Sequence, residues 1–173
     1  MCTGIIETAN IWGSGKGTQG WLNLSHVHVS YDHPFHAPAE HTLNLDFVNE
    51  AAGIGARVAV ELSADSARAV TKTLLKTLEG GEQVCTGIIE KSQIWGSGKG
   101  PQGWFSLRQS SVTYDYPSHA PAEFTVNVDF RNEAESIGTR VVVELNPGSA
   151  QALAQTILKV LERAQAEGAL DRH

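Results

Sequence analysis

Residues 26–41 read HVHVSYDHPFHAPAEH, and residues 109–124 read QSSVTYDYPSHAPAEF. An offset of 83 aligns Tyr31/Tyr114, Asp32/Asp115, Pro34/Pro117, His36/His119, Pro38/Pro121 and Glu40/Glu123. Four imidazoles are not shared: His26, His28, His33 and His41 stand opposite Gln109, Ser111, Tyr116 and Phe124. The first copy therefore holds five of the seven histidines in the chain. One segment is present twice, and only one copy is loaded with imidazole.

The repetition extends well beyond this segment. Cys2–Glu79 aligns with Cys85–Glu162 without a gap, and about 48 of the 78 pairs are identical. CTGIIE, IWGSGKG and QGW recur unchanged. Two units are too few for a solenoid. They read as a fused homodimer, with two like halves about a pseudo-two-fold axis. Residues 1–83 form the first repeat and 84–173 the second, together one pseudo-dimeric domain. The short join, Gly80 to Val84, requires the halves to sit side by side.

Within a repeat the alternation of apolar and polar residues predicts four strands and a helix. Cys2–Trp12 is the first strand, and Gly13–Gly17 breaks it as a loop. Trp21–Tyr31 is the second, with Leu22, Leu24, His26, His28 and Ser30 expected on one face and Trp21, Val27, Val29 and Tyr31 on the other. Pro34 and Pro38 stiffen the connection that follows. His41–Val48 and Ala56–Leu62 are the third and fourth strands. Ser63 caps a helix whose apolar stripe is Ala67, Val70, Leu74, Leu75 and Leu78. In the second repeat Asn146 is the cap, with Pro147 at the first helical position. That helix is expected to run to near Gly168, with Ala169–His173 frayed. The fold class is α+β: two ββββα repeats forming a pseudo-two-fold eight-stranded antiparallel sheet or a partly closed barrel, with two helices.

The composition is globular, 41% hydrophobic and 18% charged. A formal net charge of -6 argues against a nucleic-acid partner. No apolar run is long enough for a membrane span. The N-terminal stretch lacks the pattern of a secretory signal, and Cys2 and Cys85 read as free thiols, so the expected location is cytoplasmic. Cys2 as a terminal nucleophile is outweighed by Cys85, which has the same context in mid-chain.

Four features bear on function. His33, His36 and His41 lie on or beside the proline-stiffened connection and form a candidate divalent-metal set, with Zn, Fe, Ni or Cu equally suited. Glu40 and Asp32 would complete the shell, act as acid/base groups or orient the imidazoles. The plainer reading is a solvated histidine-rich loop. The repeated WGSGKG lacks the Ser or Thr and the helix that follow a phosphate loop, so it reads as a hairpin connection. Asn44, Asp46, Arg57 and Glu61 recur as Asn127, Asp129, Arg140 and Glu144. In an open sheet they are the wet face; in a closed one they would line the interior. The tryptophans Trp12, Trp21, Trp95 and Trp104 read as core or interface anchors.

The units WGSGKG, QGW, YDHPFHAPAEH, LNLDFVN and RVAVELS resemble small proteins of an uncharacterised actinobacterial family, each typically one unit long. The resemblance implies a self-pairing ancestor and carries over no activity. Three functions follow from the residues. The first is a small-molecule enzyme with a metal held by His33, His36 and His41. The second is a metal-free pocket protein, a cyclase, an isomerase or a small-ligand binder, with its pocket between the repeats and proton transfer supplied by His36 and His119 with Asp32 and Asp115. The third is a non-catalytic oligomerising domain. A small-molecule ligand and homo-oligomerisation are the partners these readings imply.

Overall fold

Alternating apolar residues start strand β1 (Ile5–Gly17), and the glycine-rich half that ends it closes the fold. A computed structural model of the chain describes residues 3–18, 20–53, 56–80, 89–135 and 139–170. Among these residues the first repeat supplies β1, β2 (Gly20–Asp32), β3 (Thr42–Val48), β4 (Arg57–Leu62) and helix α1 (Ala64–Gly80). The second supplies β5 (Ile89–Gly100), β6 (Gly103–Asp115), β7 (Thr125–Arg131), β8 (Arg140–Leu145) and α2 (Pro147–Ala166). All pairings are antiparallel, and the eight strands close in sequence order into a barrel through β8–β1. Closure leaves the sheet no free edge.

The stretch expected to be a glycine loop is strand. Gly13, Ser14, Gly15 and Lys16 pair with Leu24 to Trp21 on one side and with Leu145 to Val142 on the other. Gly96, Ser97 and Gly98 do the same between β6 and β4. Glycine is required because the strands meet too closely for a side chain. A Cβ on Gly13 would lie 1.9 Å from the Glu144 carbonyl oxygen, and one on Gly96 would lie 1.9 Å from that of Glu61. With both flanks committed to ladders, the stretch forms no anion-holding loop. The true β5–β6 turn is Pro101–Gln102, and Gly103, which opens β6 after it, has φ +106°.

The aliphatic faces point inward. A Cβ on Gly15 would meet Val58 of β4 at 2.8 Å, although β1 and β4 are not hydrogen-bonded neighbours. Val27, Val29, Leu43, Leu45, Phe47, Val60 and Leu62, the second-repeat equivalents of all but Val27 (where Ser110 stands) and the apolar stripes of both helices form one continuous core. Helix α1 packs against β3–β6, α2 packs against β1, β2, β7 and β8, and the helices pack on each other. Ser63 Oγ accepts from the Ser66 N–H, and Asn146 Oδ1 from the Ser149 N–H, so both cap assignments stand.

Two local expectations fail. The register slips between Asn10 and Gly13, so Leu24 turns inward with Val27, Val29 and Tyr31 instead of sharing a face with His26 and His28. Ala169 and Leu170 are not frayed but pack on the core. The join at residues 81–84, both cysteines and the tail at 171–173 lie outside the described residues. No helix among the described residues is long and apolar enough to cross a membrane.

Candidate functional site

With the aliphatic residues inside, the polar face of each repeat is the outer wall of the barrel. Its side chains fall into three rows across four strands. In the first repeat the rows are Ile6–Ser30–Asn44–Glu61, Thr8–His28–Asp46–Ala59 and Asn10–His26–Val48–Arg57. In the second they are Ile89–Thr113–Asn127–Glu144, Lys91–Ser111–Asp129–Val142 and Gln93–Gln109–Arg131–Arg140. Barrel closure therefore does not put these groups inside, because the same strands turn their valines and leucines to the interior.

The connection after β2 folds back over this wall. Glu61, 2% exposed, accepts hydrogen bonds from three consecutive backbone amides, Phe35, His36 (3.1 Å) and Ala37 (3.0 Å). Glu144 does the same for Ser118, His119 (3.0 Å) and Ala120 (3.0 Å). A carboxylate buried this way is stabilised by charge-assisted bonds that replace its water. The loop thus anchored crosses to the other repeat. His36 Nδ1 lies 2.9 Å from Ser97 Oγ, and its ring stacks on Trp104 at 6.0 Å and 5°. His119 repeats the contact on Ser14 (2.9 Å) and Trp21 (5.5 Å and 6°). Both serines are buried. The arrangement gives His36 and His119 a binding role between the repeats, and Trp21 and Trp104 act as interface anchors.

His36 is thereby drawn away from its expected companions. The structure brings His33 and His41 together, their ring centroids 4.7 Å apart, and the third member is Asp32. One ligand-type atom from each of the three lies within 4.8 Å of the others. His33 Nδ1 is 2.9 Å from the Glu40 carbonyl oxygen, and that contact makes Nδ1–H the donor. In the neutral ring this leaves the lone pair on Nε2, the ligating form. Asp32 Oδ1 accepts from the His33 N–H at 2.8 Å. Glu40 contributes its backbone to this arrangement. His41 and Glu40 also line a cavity of about 680 Å3 with Tyr31, the start of α1, Trp95 and Leu170. Asp32 and His33 open on the other side to a groove of about 290 Å3 with Phe35, Asp46, Arg57 and Trp104.

The second repeat holds Tyr116 and Phe124 where His33 and His41 stand, stacked at 4.8 Å and 30° against 4.7 Å and 28°. The backbone thus pairs two rings at this point in either repeat. His26 and His28 belong elsewhere. His28 Nδ1 meets Thr8 Oγ1 at 2.8 Å, and His26 Nδ1 meets Ser25 Oγ at 2.9 Å. Burial raises the carboxyl pKa of Asp46, an effect offset in part by Arg57 at 2.8 Å and by His28.

Sequence reasoning placed Glu61 and Glu144 in the recurring polar face but did not find that they anchor the loops, and it did not single out Ser97 and Ser14 beside them. The signal was a glutamate kept in both copies of an otherwise apolar strand end, RVAVEL and RVVVEL.

Fold and site define a duplicated closed antiparallel barrel, internally paired, with, among the described residues, one imidazole–carboxylate cluster, in its first half. The chain belongs to a family of unknown function, DUF6295, whose model matches twice, over residues 1–83 and 84–170. No curated protein and no solved structure matches the chain.

Proposed function

We propose that the first repeat binds one divalent transition-metal ion through Asp32, His33 and His41, and that the protein acts there on a small molecule. The observation that carries this reading is the convergence of three ligand atoms within 4.8 Å. Two imidazoles and a carboxylate suit Zn, Fe, Ni or Cu, and three protein ligands leave coordination positions for water or substrate. A metal so held polarises a carbonyl or lowers the pKa of its water. The adjoining cavity of about 680 Å3 provides room for a substrate, with the Glu40 carboxylate available as acid/base. We place this activity in the cytoplasm, where two thiols stay reduced. The competing reading is that the rings are there only to pack, and the Tyr116–Phe124 pair favours it.

The test exploits the duplication. Untagged protein purified without chelator is analysed by elemental mass spectrometry beside His33→Tyr/His41→Phe, which installs the second repeat's own ring pair. The expected result is about one metal per chain in the parent and none in the variant, with the thermal midpoint of the metal-free forms unchanged. A parent chain that carries no metal, and takes up none on supplementation with Zn or Ni, leaves the packing reading in place.

A further inference from the structure

We propose that the outer wall of the second repeat is a separate binding site for a small organic anion, a di-carboxylate or a phosphate ester. The two walls share one strand register and differ cell by cell. Thr8 and Val48 of the first wall are replaced by Lys91 and Arg131 in the second. The first wall thus sets one guanidinium, Arg57, against the carboxylates of Asp46 and Glu61. The second sets Lys91, Arg131 and Arg140 against the equivalent two.

Those two carboxylates are already engaged and offset the three cations only in part. Glu144 is turned to the loop amides. Asp129 is shared, its Oδ2 accepting from both Arg131 and Arg140, the latter at 2.9 Å. Lys91 lies in the same row as Asp129, across Ser111, and has no ion-pair partner among the described residues. Glu133, which also lines the groove, is matched by Glu50 in the first repeat, so it does not account for the difference. The three cations line a groove of about 350 Å3 together with Asp129, Glu133 and Glu144, and Ser111, Thr113 and Asn127 add hydroxyl and amide groups. Fixed guanidinium forks beside a mobile ammonium, over neutral donors, suit a ligand with two anionic ends or one multiply charged end. On a chain with net charge -6 such a patch is retained against the overall field.

The test titrates inorganic phosphate and, separately, malonate into the full-length chain at low ionic strength, read by amide NMR shifts. Saturable shifts are expected on β5–β8 around Lys91, Asp129 and Arg131, with none on the first wall. The tighter of the two anions identifies the head group. Lys91→Thr/Arg131→Val should weaken binding about tenfold or more. Thr8→Lys/Val48→Arg should create a second site on β1–β4. All four substitutions exchange residues that the fold already accepts at matched positions. The proposal is overturned by shifts equal on both walls, by no shifts with either anion, or by binding that the second-wall exchange leaves intact. Asp32, His33 and His41 take no part, so this result is independent of the metal reading.

Discussion

A buried polar atom without a partner is costly, and Ser110 provides an internal control for that cost. It is fully buried, and its Oγ has no hydrogen-bond partner among the described residues. The same core position in the first repeat is Val27, also fully buried. Ser110→Val should therefore stabilise the protein by about 1–2 kcal/mol, seen as a higher urea midpoint with an unchanged slope. A lower midpoint would mean that the hydroxyl is satisfied. Glu61 is the opposite case, a buried charge whose bonds are made. Glu61→Ala leaves three amides unpaired and should cost about 3 kcal/mol, and Glu144→Ala about the same. Unequal costs would show that the two loops are not equivalent anchors.

At the scale of elements, helix α2 is held to β1 by charge as well as by apolar packing. Glu7 pairs with Arg163 at 2.8 Å and Lys159 at 3.5 Å. The hydrogen bond from Arg163, with help from Lys159, holds the Glu7 carboxyl below its ordinary value of 4.5. A lowered folded-state pKa means that the unfolded chain binds its proton first. The contribution is thus fully present above pH 4.5 and is lost as pH falls through the lowered value. Thermal melts of the parent and Glu7→Gln from pH 7 to pH 3 should show a parent advantage at neutral pH that disappears in acid. An advantage that persists at pH 3 would rule out this pair as its source.

The whole molecule depends on two seams, β8–β1 and β4–β5, because each joins one repeat to the other. The core is continuous across both. Damage at either seam should therefore unfold the entire chain in one step. A Cβ at Gly96 would overlap the Glu61 carbonyl, a backbone atom that cannot swing aside. Gly96→Ala should cost about 3 kcal/mol or more and keep a single cooperative transition by calorimetry and by tryptophan fluorescence. Two separated transitions would mean that the repeats fold as independent units.

Much of this architecture is local information. The duplication, the four-strand-plus-helix order, the caps at Ser63 and Asn146 and the helical stripes all follow from side-chain periodicity and short-range hydrogen bonding, which act within a few residues. The doubled sequence also implied a pseudo-two-fold pairing, because a unit of this size buries too little surface alone. What only the tertiary structure decided depends on strands far apart in sequence. WGSGKG looked like a loop because glycine usually breaks a strand. It is strand because β1 and β8, and β5 and β4, approach too closely for a Cβ. The polar rows lie outside because the opposite faces of the same strands fill the interior with valine and leucine. His36 leaves the histidine cluster because Ser97 and Trp104, on the other repeat, hold its ring, and Asp32 takes its place beside His33 and His41. Spacing along the chain identified these imidazoles, but the partners of His36 were set by barrel closure, which brings together residues more than sixty positions apart.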